Sequence, residues 1–232
     1  MKLISSIFTL LAAMVLPAAG FMFLSDRDRG YIKSISAGIL TYIILRVLMV
    51  LPPLNDLNGL FSPLGAAASV YGPALAIAAV SELTRFLVFK YYLEGRRTPG
   101  DAVSLGFGFW AVEAILTVGL TALLVVINFS VNSQYVNAVN MTLSGLERLF
   151  VLPVQLLLSL ISLYALKSGK YVFIALGMAL HLAVNGTTGF LVAAGFAPAV
   201  VIAIMGAAAL VCCGVIFKLY SSPTLTQSKT DI

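Results

Sequence analysis

The chain has little of what a water-soluble protein needs. Only 10% of its residues are charged, against 60% hydrophobic, and it holds one histidine and one tryptophan in 232 residues. A soluble domain is nearer a quarter charged, so an ordinary globular cytosolic protein is excluded. The two cysteines, Cys212 and Cys213, are adjacent in an apolar run. Vicinal cysteines in one helix rarely pair, and two thiols with no second cluster make a poor metal site, so they read as packing residues. No internal repeat of about 20–50 residues is evident, which removes solenoid architectures.

What the chain has instead is long apolar runs and a mean hydropathy of +1.04. Seven runs fall at about 3–24, 35–52, 67–92, 102–129, 144–166, 171–193 and 198–220. Each is close to the roughly 20 residues that cross a bilayer as a helix. The expected fold is an all-α polytopic transmembrane bundle over residues 1–220, with residues 221–232 a disordered cytoplasmic tail. Arg27, Arg29 and Lys33 mark the first connection, and Lys90, Arg96 and Arg97 the third. Lys167 and Lys170 mark the fifth, and Lys218 and Lys229 the C-terminus. The second, fourth and sixth connections contain no lysine or arginine. The positive-inside rule then predicts N-out, C-in, with Lys2 the one dissenting charge. The net charge of +5 is thus a matter of topology, and no nucleic-acid partner is inferred. The first run ends Leu16-Pro17-Ala18-Ala19-Gly20, which a cleavable signal peptide could also show. Cleavage would put Arg27, Arg29 and Lys33 outside and spoil the alternation, so the run reads as a retained span.

Against that background a few polar side chains stand out. Glu113 lies in Phe107-Gly108-Phe109-Trp110-Ala111-Val112-Glu113-Ala114, with no basic residue near it in sequence. An ionised group at the bilayer centre costs about 2.5–3.5 kcal/mol on insertion scales, so it must face protein interior. Counted from the basic ends at about 1.5 Å per residue, Glu113, His181, Arg46, Glu82 and Gln155 share one slab near the midplane. Glu82 and Arg85 are three apart and share a helix face as an ion pair, and His181 and Asn185 are four apart. Arg46 reads as a counter-ion to a glutamate, Gln155 as packing glue, and Glu147-Arg148 as an interfacial pair. Gly106, Gly108, Gly177 and Gly186 border these positions and permit close helix approach. Two carboxylates and a neutral imidazole suit a zinc-type site, where a carboxylate deprotonates bound water and Asn185 bonds an oxyanion or steers the imidazole. The bland reading of each remains open: a bracing ion pair for Glu82 and Arg85, an interhelical hydrogen bond for His181.

The segments Ser81-Glu82-Leu83-Thr84-Arg85-Phe86, Gly106 to Ala114, Leu146-Glu147-Arg148-Leu149-Phe150 and His181-Leu182-Ala183-Val184-Asn185 together resemble the YhfC family of intramembrane metalloproteases, related to the PrsW and CPBP membrane peptidases. The resemblance covers about residues 78–190. It implies a hydrolase of the bacterial cytoplasmic membrane that cuts a peptide bond in or near the bilayer. Its partners would be lipid and a hydrophobic peptide or transmembrane protein. Carried over by position, Glu82 is the general base, Arg85 orients it, Glu113 and His181 are ligands of a divalent metal, and Asn185 supports the oxyanion. Two positions depart from the family pattern: Ser81 stands where relatives have a first glutamate, and Gln155 where they often have histidine. They motivate a second reading, a non-cleaving relative that binds a hydrophobic partner. A proton-coupled transporter using Glu82, Glu113 and His181 is a third, without an inverted repeat to support it.

Overall fold

The computed structural model describes residues 1–226 except 53, 133, 135 and 136; the end of the tail, with Lys229, lies outside the described residues. Among these, seven helices are long and apolar enough to cross a membrane: α1 (Lys2–Arg27), α2 (Tyr31–Val50), α3 (Ala66–Tyr92), α4 (Pro99–Ile127), α5 (Ala138–Ser168), α6 (Val172–Ala193) and α7 (Pro198–Tyr220). No strand occurs among the described residues. The all-α polytopic bundle is therefore the observed architecture. Residues Pro223–Thr226 add one helical turn in which Leu225 is buried, and Lys167 Nζ donates to the Leu225 carbonyl at 2.6 Å.

The starts of α4 and α5 are set by side-chain caps. At α4 the Thr98 hydroxyl accepts from the Asp101 N–H and the Asp101 carboxylate accepts from the Thr98 N–H, both at 3.1 Å. Pro99 occupies the first turn, where its missing N–H costs nothing. α5 begins six residues before the apolar run that starts at about 144. Asn137 Oδ1 accepts from the Val139 and Asn140 N–H groups at 2.9 and 3.2 Å, and this cap draws polar Asn140, Thr142 and Ser144 into the helix. Gly169, in the left-handed conformation at φ 69°, ends it.

The most buried of the seven is α5, which packs against α1, α3, α4, α6 and α7. α2 lies along α4, and α6 along α3. Lipid tails are as apolar as leucine, so helices in a bilayer associate through close packing rather than a hydrophobic drive. A Cβ at Gly38 would fall 2.0 Å from the Leu105 carbonyl oxygen, and one at Gly108 would fall 2.1 Å from that of Ile35. The α2 and α4 backbones therefore touch. Gly106 does the same for α4 and α5, where a Cβ would meet the Gln155 carbonyl at 2.6 Å. Ile43, Ile44, Val47, Leu210, Val211 and Phe217 are exposed on the outside, the surface that faces lipid. Cys212 is buried and neither thiol is paired.

At one end of the bundle the first and third connections are clasped. Arg96 reaches Asp28 Oδ2 at 3.0 Å and Asp101 Oδ1 at 3.1 Å, and the Ser34 hydroxyl donates to Asp101 at 2.8 Å. The Gly30 backbone N–H and the Arg96 guanidinium hold the Asp28 carboxyl below its ordinary value.

Two outcomes are expected. Gly106→Ala, adding an atom between α4 and α5, lowers stability by about 1–3 kcal/mol; Gly214→Ala, where a Cβ meets nothing within 4 Å, does not. Thermal unfolding in detergent checks both. A depressed carboxyl stabilises the fold above its unfolded pKa and loses that effect as pH falls through the folded one. Melting curves of parent and Asp28→Asn should thus differ at neutral pH and converge as the pH drops below about 3.9.

Candidate functional site

One polar chain runs across four helices. Glu82 and Arg85, on one face of α3, are both almost completely buried. Glu82 Oε1 lies 2.8 Å from His181 Nδ1 of α6 and 3.6 Å from Arg85 Nε. Gly177, one turn before His181, faces Glu82: a Cβ there would sit in ordinary contact, 3.5 Å from Glu82 Oε2. Arg85 turns its fork to α5, where Nη1 donates to the Gln155 carbonyl and to the Ser159 hydroxyl, each at 3.0 Å. Its Nη2 donates to Gln155 Oε1, and the guanidinium lies 4.2 Å from the centre of the Phe109 ring.

Gln155 passes the chain on. Its Nε2 donates to Glu113 Oε2 of α4 at 3.1 Å, and Glu113 Oε1 accepts from Arg148 Nη1 at 3.2 Å. Arg148 also pairs with Glu147, while its carbonyl accepts from Trp110 Nε1 at 2.6 Å. Only one orientation of the Gln155 amide serves both neighbours, oxygen toward the cation and nitrogen toward the anion. The series His181, Glu82, Arg85, Gln155, Glu113, Arg148, Glu147 is therefore continuous. Arginine is suited to this work because it stays charged and offers several donors in one plane.

A cavity of about 160 Å³ opens beside this chain, and Arg46, Glu113, Gln155, His181 and Asn185 lie on its wall with Tyr42 and Phe109. His181 Nδ1 is engaged by Glu82, so Nε2 is the nitrogen left for the cavity. Glu82 stands behind the imidazole and is not among the lining residues. A larger space of about 500 Å³ beside Asn137 and Asn140 has no titratable side chain among its lining residues.

The structure thus joins Glu82, Arg85 and His181 directly, links Glu113 through Gln155, and puts Asn185 on the shared cavity. It corrects three readings. Arg46 is not the counter-ion of a glutamate: Glu82 pairs with Arg85 and Glu113 with Arg148, and Arg46 Nε donates to the Tyr42 hydroxyl at 2.7 Å. Arg148 is buried and reaches inward across 35 positions to Glu113. Gln155 is the junction of the network rather than packing glue, and its place mid-span was the signal for it.

The residues do not fit a divalent cation as arranged. Among the described residues no group of three or more His, Cys, Asp or Glu side chains could hold one. Both Glu113 oxygens accept hydrogen bonds, one from a guanidinium, and Glu82 Oε1 is shared by His181 and Arg85. Glu82 Oε2 and His181 Nε2 are left without partners among the described residues, two donors where a divalent site needs at least three from the protein, and the arginines already pair with the carboxylates. Gln155→Leu, which strips a partner from both Arg85 and Glu113, should cost about 2–5 kcal/mol. Glu113→Gln should cost less, because its amide oxygen still accepts; unfolding in detergent ranks the two.

Sequence comparison places this architecture. The family model described as YhfC intramembrane metalloprotease matches residues 13–142 and 133–206, and that description implies a divalent metal. An uncharacterized membrane protein YhfC of Bacillus subtilis is 27% identical over 140 residues, covering 50% of this chain and 54% of the relative. The chain thus spans about half the length of the curated relative it matches. No solved structure matches. With the polar chain and all seven spans but the last lying largely within the matched residues, this integral membrane protein belongs to the YhfC intramembrane metalloprotease family.

Proposed function

We propose that the chain is a peptidase of the bacterial cytoplasmic membrane that hydrolyses a peptide bond in or beside the bilayer. The observation that carries it is the 2.8 Å contact between Glu82 and His181, with His181 and Asn185 on one cavity. The N-out, C-in orientation predicted from the basic loops belongs to the same reading.

Glu82 accepts the Nδ1–H of neutral His181, which sets the tautomer with its lone pair on Nε2 and stabilises the imidazolium once it forms. Nε2 takes a proton from a water in the cavity as that water's oxygen attacks the substrate carbonyl carbon. The resulting oxyanion is placed to accept from the Asn185 amide. The proton on Nε2 then passes to the leaving nitrogen as the C–N bond breaks, which returns the imidazole to its neutral form. His181 is thus the base and Glu82 its positioning partner, as a carboxylate walled off from the cavity must be. Arg85 holds Glu82 in place. Glu113 is a wall residue paired with Arg148 and hydrogen-bonded by the Gln155 amide. Zinc, to which the residue types point, enters no step, because no three of its donors come together among the described residues.

A proton-transfer group of this kind contributes about 10²–10⁴-fold. Glu82→Gln and His181→Ala should therefore lower cleavage of apolar peptides in proteoliposomes by at least about a hundredfold, read by mass spectrometry, without loss of fold. Cleavage by both variants at the parent's rate would sink the reading.

A further inference from the structure

Arg46 is the cation of the cavity that the network does not use. It stands on α2, and the Tyr42 hydroxyl one turn earlier accepts from its Nε at 2.7 Å. Tyr42 is itself buried and packs edge-on against Phe109 at 5.2 Å, so the arginine is held by an anchored partner. Its guanidinium lies 5.0 Å from the centre of the Tyr42 ring. Among the described residues Arg46 makes no ion pair, and neither Nη has a hydrogen-bond partner. Glu113 shares the cavity wall, yet both its oxygens are taken. Arg46 is exposed, so its guanidinium is open rather than sealed in protein, and an ionisable side chain of a span that lines a cavity by default marks a ligand pathway.

We propose that Arg46 clamps a carboxylate of the substrate, the planar two-oxygen group that matches a guanidinium fork. The size of the cavity says how that carboxylate arrives. About 160 Å³ equals the share of roughly five waters, room for one residue and too little for a helix about 10 Å across. A chain end fits this space, and its last side chain would meet Leu45, Met49 and Ile77 on the apolar wall. Arg46 then determines specificity: with the terminal carboxylate on its fork, the preceding carbonyl comes toward His181 and Asn185. This rests on the peptidase reading for its reacting bond but not for its binding step. An acidic side chain carries the same chemistry, and the test separates the two sources.

The full chain in nanodiscs is titrated calorimetrically at neutral pH with three acetylated leucine peptides: a free acid, its C-terminal amide, and an amide with one internal glutamate. The free acid should bind at least about tenfold tighter than the amide, and Arg46→Gln should bring the ratio toward one while Arg46→Lys keeps part of it. Tighter binding of the glutamate peptide than of the free acid, lost in Arg46→Gln, keeps the clamp and assigns it to an acidic side chain. Equal binding of all three by the parent, binding of none, or a preference that survives in a folded Arg46→Gln overturns the proposal. Turnover is not read here: preference without cleavage removes the peptidase reading alone, and cleavage without preference removes the clamp alone.

Discussion

The amide of Gln155 stands between a cation and an anion in a place where neither can be left alone. In hydrocarbon a bare carboxylate or guanidinium has no water to screen it, so each must find a partner inside the protein. Arg85 finds the Gln155 oxygen and carbonyl, and Glu113 finds the Gln155 nitrogen. Arg148 completes the neutralisation of Glu113 from the same helix. The central helix α5 thus supplies both contacts that let α3 and α4 carry charge. Replace the junction, and two buried ions lose partners together.

The packing exists to make that junction possible. Gly106 brings the α4 backbone against α5 at Gln155 itself, since a Cβ there would strike the Gln155 carbonyl. Gly38 and Gly108 press α2 against α4, which sets the Arg46 helix beside the one carrying Glu113. Close packing in lipid and the location of the polar chain are therefore one problem, solved with the same glycines. The site follows: Glu82 is sealed behind His181, and the imidazole becomes the group that reaches the cavity.

Much of this was legible from residues alone, for identifiable reasons. Apolar runs report spans because backbone polar groups in a bilayer must be satisfied within a helix, and six of the seven runs fall within a few residues of the helices. The exception, the start of α5, was set by the Asn137 cap, a local hydrogen bond that hydropathy does not register. The Glu82–Arg85 pair and the shared face of His181 and Asn185 were legible because helix periodicity fixes neighbours three and four residues apart. Arg46 was misread because depth cannot say which of several arginines a glutamate will choose. Arg148 looked interfacial by its sequence neighbours, yet it turns inward to a partner 35 residues away.

By itself, then, the sequence determined that the chain crosses a membrane as helices, and that several ionisable groups lie deep within them. Both are consequences of local composition and of a regular rise per residue. Only the tertiary structure decided which charge meets which, that Gln155 joins the two halves of the network, and that Arg46 lines the cavity with a fork no described residue engages. Those outcomes depend on the rotation of each helix about its axis and on which helices become neighbours. Glycine contacts set both, between backbones far apart in the chain, and no single segment of the sequence carries them.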